Sequence, residues 1–76
     1  MMHLARAEIV SNVWKIEVHE GDQVGPGDVL AVLESMKMEI PLVASVHGRV
    51  SRVLASLGQI VQEGDPVIEI AETAGA

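Results

Sequence analysis

The chain has no cysteine, so neither a disulfide nor a thiolate metal site supports its fold or function. Phenylalanine and tyrosine are also missing, which leaves Trp14 as the only aromatic ring. The interior must therefore come from Val, Ile, Leu, Met and Ala. Positive charge is scarce: 5 Lys and Arg stand against 11 Asp and Glu, a formal net charge of −6. An acidic chain repels phosphate backbones, and no basic patch is interleaved with aromatics, which argues against nucleic acid as a partner. Apolar runs extend only a few residues, so no segment reads as a membrane-spanning helix. No basic stretch leads into a long apolar one, so no secretory signal is read and the cytoplasm is the default location. The three histidines, His3, His19 and His47, lie far apart and show no zinc spacing, so no metal site is expected. With 76 residues the chain fits one small domain, 1–76, with a core over about 4–71. So small a core is marginal on apolar area alone.

What the chain does have is a repeat. GDQVGPGDVLAV at 21–32 lines up with GQIVQEGDPVIE at 58–69, with Gly21 on Gly58, Val24 on Val61, Gly27 on Gly64 and Asp28 on Asp65. The same offset places Ala7 on Ala44 and Val13 on Val50, while Ser11 falls on Gly48 as an imperfect match. Each half reads as short strands. Trp14, Ile16 and Val18 alternate with Lys15, Glu17 and His19, and Leu30–Leu33 and Val67–Ile70 are compact apolar runs. Pro26 followed by Gly27 suits a type II turn, and Glu63-Gly64-Asp65 repeats it without the proline. Asp28 and Asp65 are placed to accept bonds from nearby backbone N–H groups, a turn role rather than a catalytic one. Two similar strand sets, each too small to bury an apolar face, are expected to pack together as an all-β flattened barrel or sandwich with quasi-twofold symmetry.

That symmetry leaves one element unmatched, the link between the halves. Glu34, Ser35, Met36, Lys37, Met38 and Glu39 fill it. The first strand set ends near Leu33 and the second begins near Ile40, so the link is a tight hairpin with Lys37 at or beside its tip. A solvated loop lysine is ordinary. Two methionines beside it are not, because a hairpin end has little interior, and exposed flexible methionines make good recognition contacts. The link also lacks the Asn-Gly or Asp-Gly that favours a two-residue turn. No nucleophile is paired with a base, so no catalytic residue is assigned.

The motif Glu34-Ser35-Met36-Lys37-Met38-Glu39 resembles that of the biotinyl domain of biotin carboxyl carrier proteins, within the wider biotinyl/lipoyl attachment family. The resemblance runs from about Leu4 to Ala71 and implies two four-stranded antiparallel sheets with the lysine on an exposed hairpin. It implies covalent biotin as an amide on Lys37, with Met36 and Met38 read by a biotin protein ligase and Glu34, Ser35 and Glu39 beside them. Gly21, Gly27, Gly58 and Gly64 fall on family turn positions. The family more often has Ala at position 35 and Pro at position 45, where this chain has Ser35 and Ser45. The protruding thumb of some bacterial carriers is absent. Lipoyl domains usually flank the lysine with Asp and Ala, so the paired methionines resemble the biotin version.

The resemblance further implies a carrier and not an enzyme. A biotin carboxylase would load a carboxyl group using ATP and bicarbonate, and a carboxyltransferase would pass it to an acceptor, commonly an acyl-CoA. The isolated domain is expected to be monomeric, and its tail from Glu72 to Ala76 to fray. A lipoyl carrier domain and an unmodified β-sandwich interaction module are the competing readings. Lys37 discriminates the module from a carrier, because only a carrier needs that amine.

Overall fold

The corners of the molecule are set by local chemistry that occurs twice. In Gly25–Asp28 the Asp28 N–H bonds to Gly25 O at 3.0 Å, and Gly27 takes φ +91°, which a side chain would resist. The Asp28 carboxylate folds back to accept the Gly25 N–H at 2.8 Å. Gln62–Asp65 repeats all of this: Asp65 N–H to Gln62 O at 3.0 Å, Gly64 at φ +88°, and the Asp65 carboxylate accepting the Gln62 N–H at 2.8 Å. Gly21 and Gly58 serve a second mirrored pair of turns, whose side-chain acceptors are Asp22 and Gln59. Removing the acceptor in Asp28→Ala or Asp65→Ala costs about 1 kcal/mol each. Urea unfolding of the two variants should give similar losses, because the two turns are equivalent.

The computed structural model describes residues 1–73. Between the corners run β1 (Met2–Arg6), β2 (Ser11–Ile16), β3 (Gln23–Val24), β4 (Val29–Ser35), β5 (Met38–Val43), β6 (Gly48–Val53), β7 (Ile60–Val61) and β8 (Pro66–Glu72). They form two four-stranded sheets in the orders β1-β8-β6-β3 and β5-β4-β2-β7, every pairing antiparallel. Neither sheet closes on itself, so the architecture is a flattened sandwich rather than a true barrel. Shifting the numbering by 37 carries β1 to β5, β2 to β6, β3 to β7 and β4 to β8, and so exchanges the two sheets strand for strand. The sequence halves therefore do not make one sheet each. Each sheet takes two strands from each half, because the corners send β1 to β8 and β3 to β6.

The core holds the inward residues of both sheets, with Val13, Leu30, Val50, Val61, Val67, Ile68 and Ile70 its largest fully buried side chains. No methionine joins it: Met1, Met2, Met36 and Met38 are all exposed. The alternation expected of Trp14, Ile16 and Val18 breaks at its first member. A β-bulge shifts the β2–β4 register between Val13 and Lys15, so Val13 points inward and Trp14 is exposed. The tail is better fixed than composition suggests. Glu72 ends β8 and donates its N–H to Met1 O at 2.7 Å, and the Thr73 N–H bonds to His47 O at 3.0 Å. Residues 74–76 of that tail lie outside the described residues.

Under the shift by 37 the β4–β5 hairpin corresponds to the pairing of β8 with β1, so its tip corresponds to the chain ends. β5 runs from the tip down to Val43, and just past it the Ser45 hydroxyl meets His3 Nε2 at 3.2 Å near the start of β1. The hairpin tip and the Met1–Glu72 contact thus lie toward opposite ends of a body 38 × 19 × 18 Å in extent.

Candidate functional site

The hairpin is two residues tighter on each side than its sequence suggested. β4 continues to Ser35, β5 starts at Met38, and Ser35 pairs with Met38 to close a two-residue loop. Met36 has φ 51° and Lys37 φ 65°, both left-handed, the pattern of a type I′ turn. Such a turn matches the twist of the flanking strands but normally uses Asn-Gly. Here neither position is glycine, and these two are the only non-glycine residues with positive φ among those described. Left-handed geometry costs an ordinary L-residue about 1–2 kcal/mol. An unfavourable pair of residues is thus held by well-paired strands at the exposed end of a hairpin. Strain of this kind concentrates at working sites.

The side chains at the tip are presented to solvent. Met36 is 91% exposed and Met38 65%. Lys37 is exposed, and among the described residues its amine makes neither an ion pair nor a hydrogen bond. Ser35 is half-buried at the end of β4. Glu34 and Glu39 stand directly opposite each other across β4–β5, on one face and both exposed. Like charges in that relation disfavour the pairing, and no described cation forms an ion pair with either. The six motif residues are therefore brought together. Gly21, Gly27, Asp28, Gly58, Gly64 and Asp65 stay in the corners as structural residues.

One neighbour escaped the sequence reading. Asn12 pairs with Glu34 on one side and with Ile60 on the other, so Glu39, Glu34, Asn12 and Ile60 form a single row across the outer face of their sheet. The signal was available in the inward alternation of Ser11 and Val13, which turns Asn12 outward.

The family model for biotin/lipoyl domains, described as "Biotin-requiring enzyme", matches residues 5–70. The chain belongs to the biotin/lipoyl attachment family. Within it, the chain is 57% identical over 65 residues to a biotinylated protein TB7.3 homolog of Mycobacterium leprae, covering 86% of this chain and 92% of that one. It is 44% identical over 66 residues to a biotin/lipoyl attachment protein of Bacillus subtilis, covering 87% and 90%. Among solved structures it superposes on part of a single-chain, multi-domain long-chain acyl-CoA carboxylase with a TM-score of 0.87 and 36% identity. It superposes on part of the urea carboxylase of Kluyveromyces lactis with a TM-score of 0.88 and 32% identity. The match spans 96% and 93% of this chain but 7% and 6% of those two. Members of the family of this kind are carriers, so this attachment domain is not itself a catalyst. Its counterparts in those two structures form small parts of much larger carboxylase chains.

Proposed function

We propose that the domain is a biotin carboxyl carrier with Lys37 as the attachment residue. The observation that carries this is the type I′ turn that sets an unpartnered lysine amine at an exposed tip, between two exposed methionines. The residues fit the group: a free primary amine is the nucleophile an amide bond requires, and nothing in the domain competes for it. When bound, biotin supplies a ureido nitrogen able to hold a carboxyl group between two active sites.

The chain's own residues attach, present and release. A lysine amine is protonated at neutral pH and attacks only as the free base, so the ligase must help remove its proton. Acylation then removes one positive charge from the tip. Met36 and Met38 offer adaptable apolar contacts to the ligase, and Glu34, Ser35 and Glu39 form the rim around them. The β4–β5 ladder holds the attachment point clear of the sandwich. Covalent tethering keeps the carried group at high local concentration near a biotin carboxylase and then a carboxyltransferase. We place this cycle in the cytoplasm, where a carboxylase finds ATP.

Intact mass after incubation with a biotin protein ligase, ATP and biotin tests the reading, and one biotinyl addition is expected. No addition to the folded protein would overturn it, and a lipoyl ligase in parallel identifies the lipoyl alternative. Met36→Asn separates the methionine's two roles. Asparagine tolerates left-handed geometry, so stability should rise by about 0.5 kcal/mol. Loss of the apolar contact should meanwhile slow ligation several-fold, read by mass at timed intervals.

A further inference from the structure

The quasi-twofold axis gives every surface position an internal control. Each residue of one outer face has a mate 37 positions away in the same backbone setting, so the mate shows what the fold alone requires. Most of the outer face of β1-β8-β6-β3 is polar at the positions that matter here. The corresponding positions flanking the Lys37 hairpin are not.

Three exposed side chains carry the difference. Ile60, in the row that starts at Glu39 and Glu34, is 60% exposed, and its mate is Gln23. Leu57 is 66% exposed, and its mate Glu20 occupies the equivalent turn before Gly21. Trp14 is 42% exposed, and its mate is Ser51. The three are neighbours through the backbone. Ile60 pairs with Asn12, the Val13 N–H bonds to Gln59 O at 2.9 Å, and the Gly58 N–H bonds to Val13 O at 2.8 Å. The Lys15 amine lies 4.6 Å from the centre of the Trp14 ring. Glu34 and Glu39 differ from their mates in the same way, since those are Ala71 and Met2. The fold asks for neither the carboxylate pair nor the apolar strip, and a clustered, exposed apolar strip marks an interaction surface.

We infer that Trp14, Leu57 and Ile60 form a docking strip for the enzyme that carboxylates the carried biotin, an inference that rests on the carrier reading above. The strip is continuous with the hairpin through the Glu39–Glu34–Asn12–Ile60 row, so a protein that engages the tip also meets the strip. Charge selects the occupant. A second copy of this chain would add another exposed Glu34–Glu39 pair to the interface, between two chains of net charge −6. A heterologous surface with lysine or arginine opposite the two glutamates, beside an apolar cleft, is complementary. The ligase meets each carrier once. The carboxylating enzyme must find it at every turnover, and a small apolar strip gives an encounter that is specific and still quickly reversible.

The test uses the full-length biotinylated protein and a bacterial biotin carboxylase that turns over the wild-type domain. The wild type must first accept biotin and support ATP-dependent carboxylation, and failure there strikes the carrier reading and not the strip. Trp14→Ser/Leu57→Glu/Ile60→Gln then installs the residues that the mates already tolerate. KM for the carrier should rise at least tenfold with kcat within twofold, while turnover of free biotin stays unchanged. Glu20→Ala/Gln23→Ala, on the opposite face, should leave KM unchanged. For a readout independent of turnover, 5-fluorotryptophan in the biotinylated protein places one fluorine on Trp14. Its resonance should shift or broaden on adding the enzyme, and the effect should weaken in Leu57→Glu/Ile60→Gln. An unchanged KM in the triple variant, a lost kcat with unchanged KM, slowed ligation as the only defect, or a fluorine signal that ignores the enzyme would each overturn the assignment.

Discussion

Lys37→Arg is expected to abolish biotin attachment completely while leaving the fold in place. The chemistry is all-or-none. Arginine stays protonated at any working pH, so the substituted tip has no free amine to acylate. The structure explains why nothing else should change. Lys37 is exposed, forms no described side-chain hydrogen bond or ion pair, and sits in a left-handed turn that an arginine enters at the same backbone cost. Stability should stay within about 0.5 kcal/mol of the wild type, as for a surface substitution away from special features. Intact mass after ligase treatment and a urea titration on the same sample read both halves. Residual biotin on the variant would move the site to Lys15, the only other lysine. A domain that kept its cellular role with arginine at this position would be the unmodified interaction module.

The second large effect lies far from the chemistry. Gly48→Ala adds one methyl group where none fits. A Cβ at Gly48 would press on Ala71 O and lie 2.6 Å from Ile70 Cγ2, and the first of these is backbone that cannot swing away. Gly48 is buried in β6 between Glu72 of β8 and Val24 of β3, so relief would mean separating paired strands. Overpacking of this kind costs about 3 kcal/mol. A domain of this size has a total of about 4–11 kcal/mol, so the urea midpoint should fall by a large fraction or the protein should fail to fold. Its mate Ser11 carries a side chain without harm. The β2–β4 pairing begins one residue later, at Asn12 and Glu34, and the Ser11 hydroxyl bonds to Ile9 O at 2.7 Å. Ser11→Gly should therefore cost much less than Gly48→Ala.

These two positions also show how far the sequence could be read. The corners were legible because glycine in a left-handed turn and aspartate folding back on an N–H are local requirements, and a duplicated fold states them twice. Lys37 was legible because a symmetric fold isolates its one unmatched link, and because Met-Lys-Met is hard to explain as stability. The mismatch of Ser11 with Gly48 was visible, but its cause was not. It depends on where two non-neighbouring strands begin to pair. Trp14 was unreadable for a similar reason: a bulge set by the register against β4 breaks the period-two pattern, and no residue of β2 announces it. The interlocking of the halves was hidden too, since alternation within a strand says nothing about which strand lies beside it.

The strand order has a consequence for how the domain assembles in time. Of all the pairings, only β4 with β5 joins strands adjacent in sequence, and every other ladder waits for a longer loop to close. A hairpin closes in about 1–10 μs, whereas non-local pairing carries the loop-closure entropy that slows β proteins. The segment that presents Lys37 should thus be the first to acquire protected amides when the chain refolds, which pulsed hydrogen exchange can follow. The Met36–Lys37 turn then sets the rate of the earliest step, so the same two residues govern how quickly the chain starts to fold and what it displays once folded.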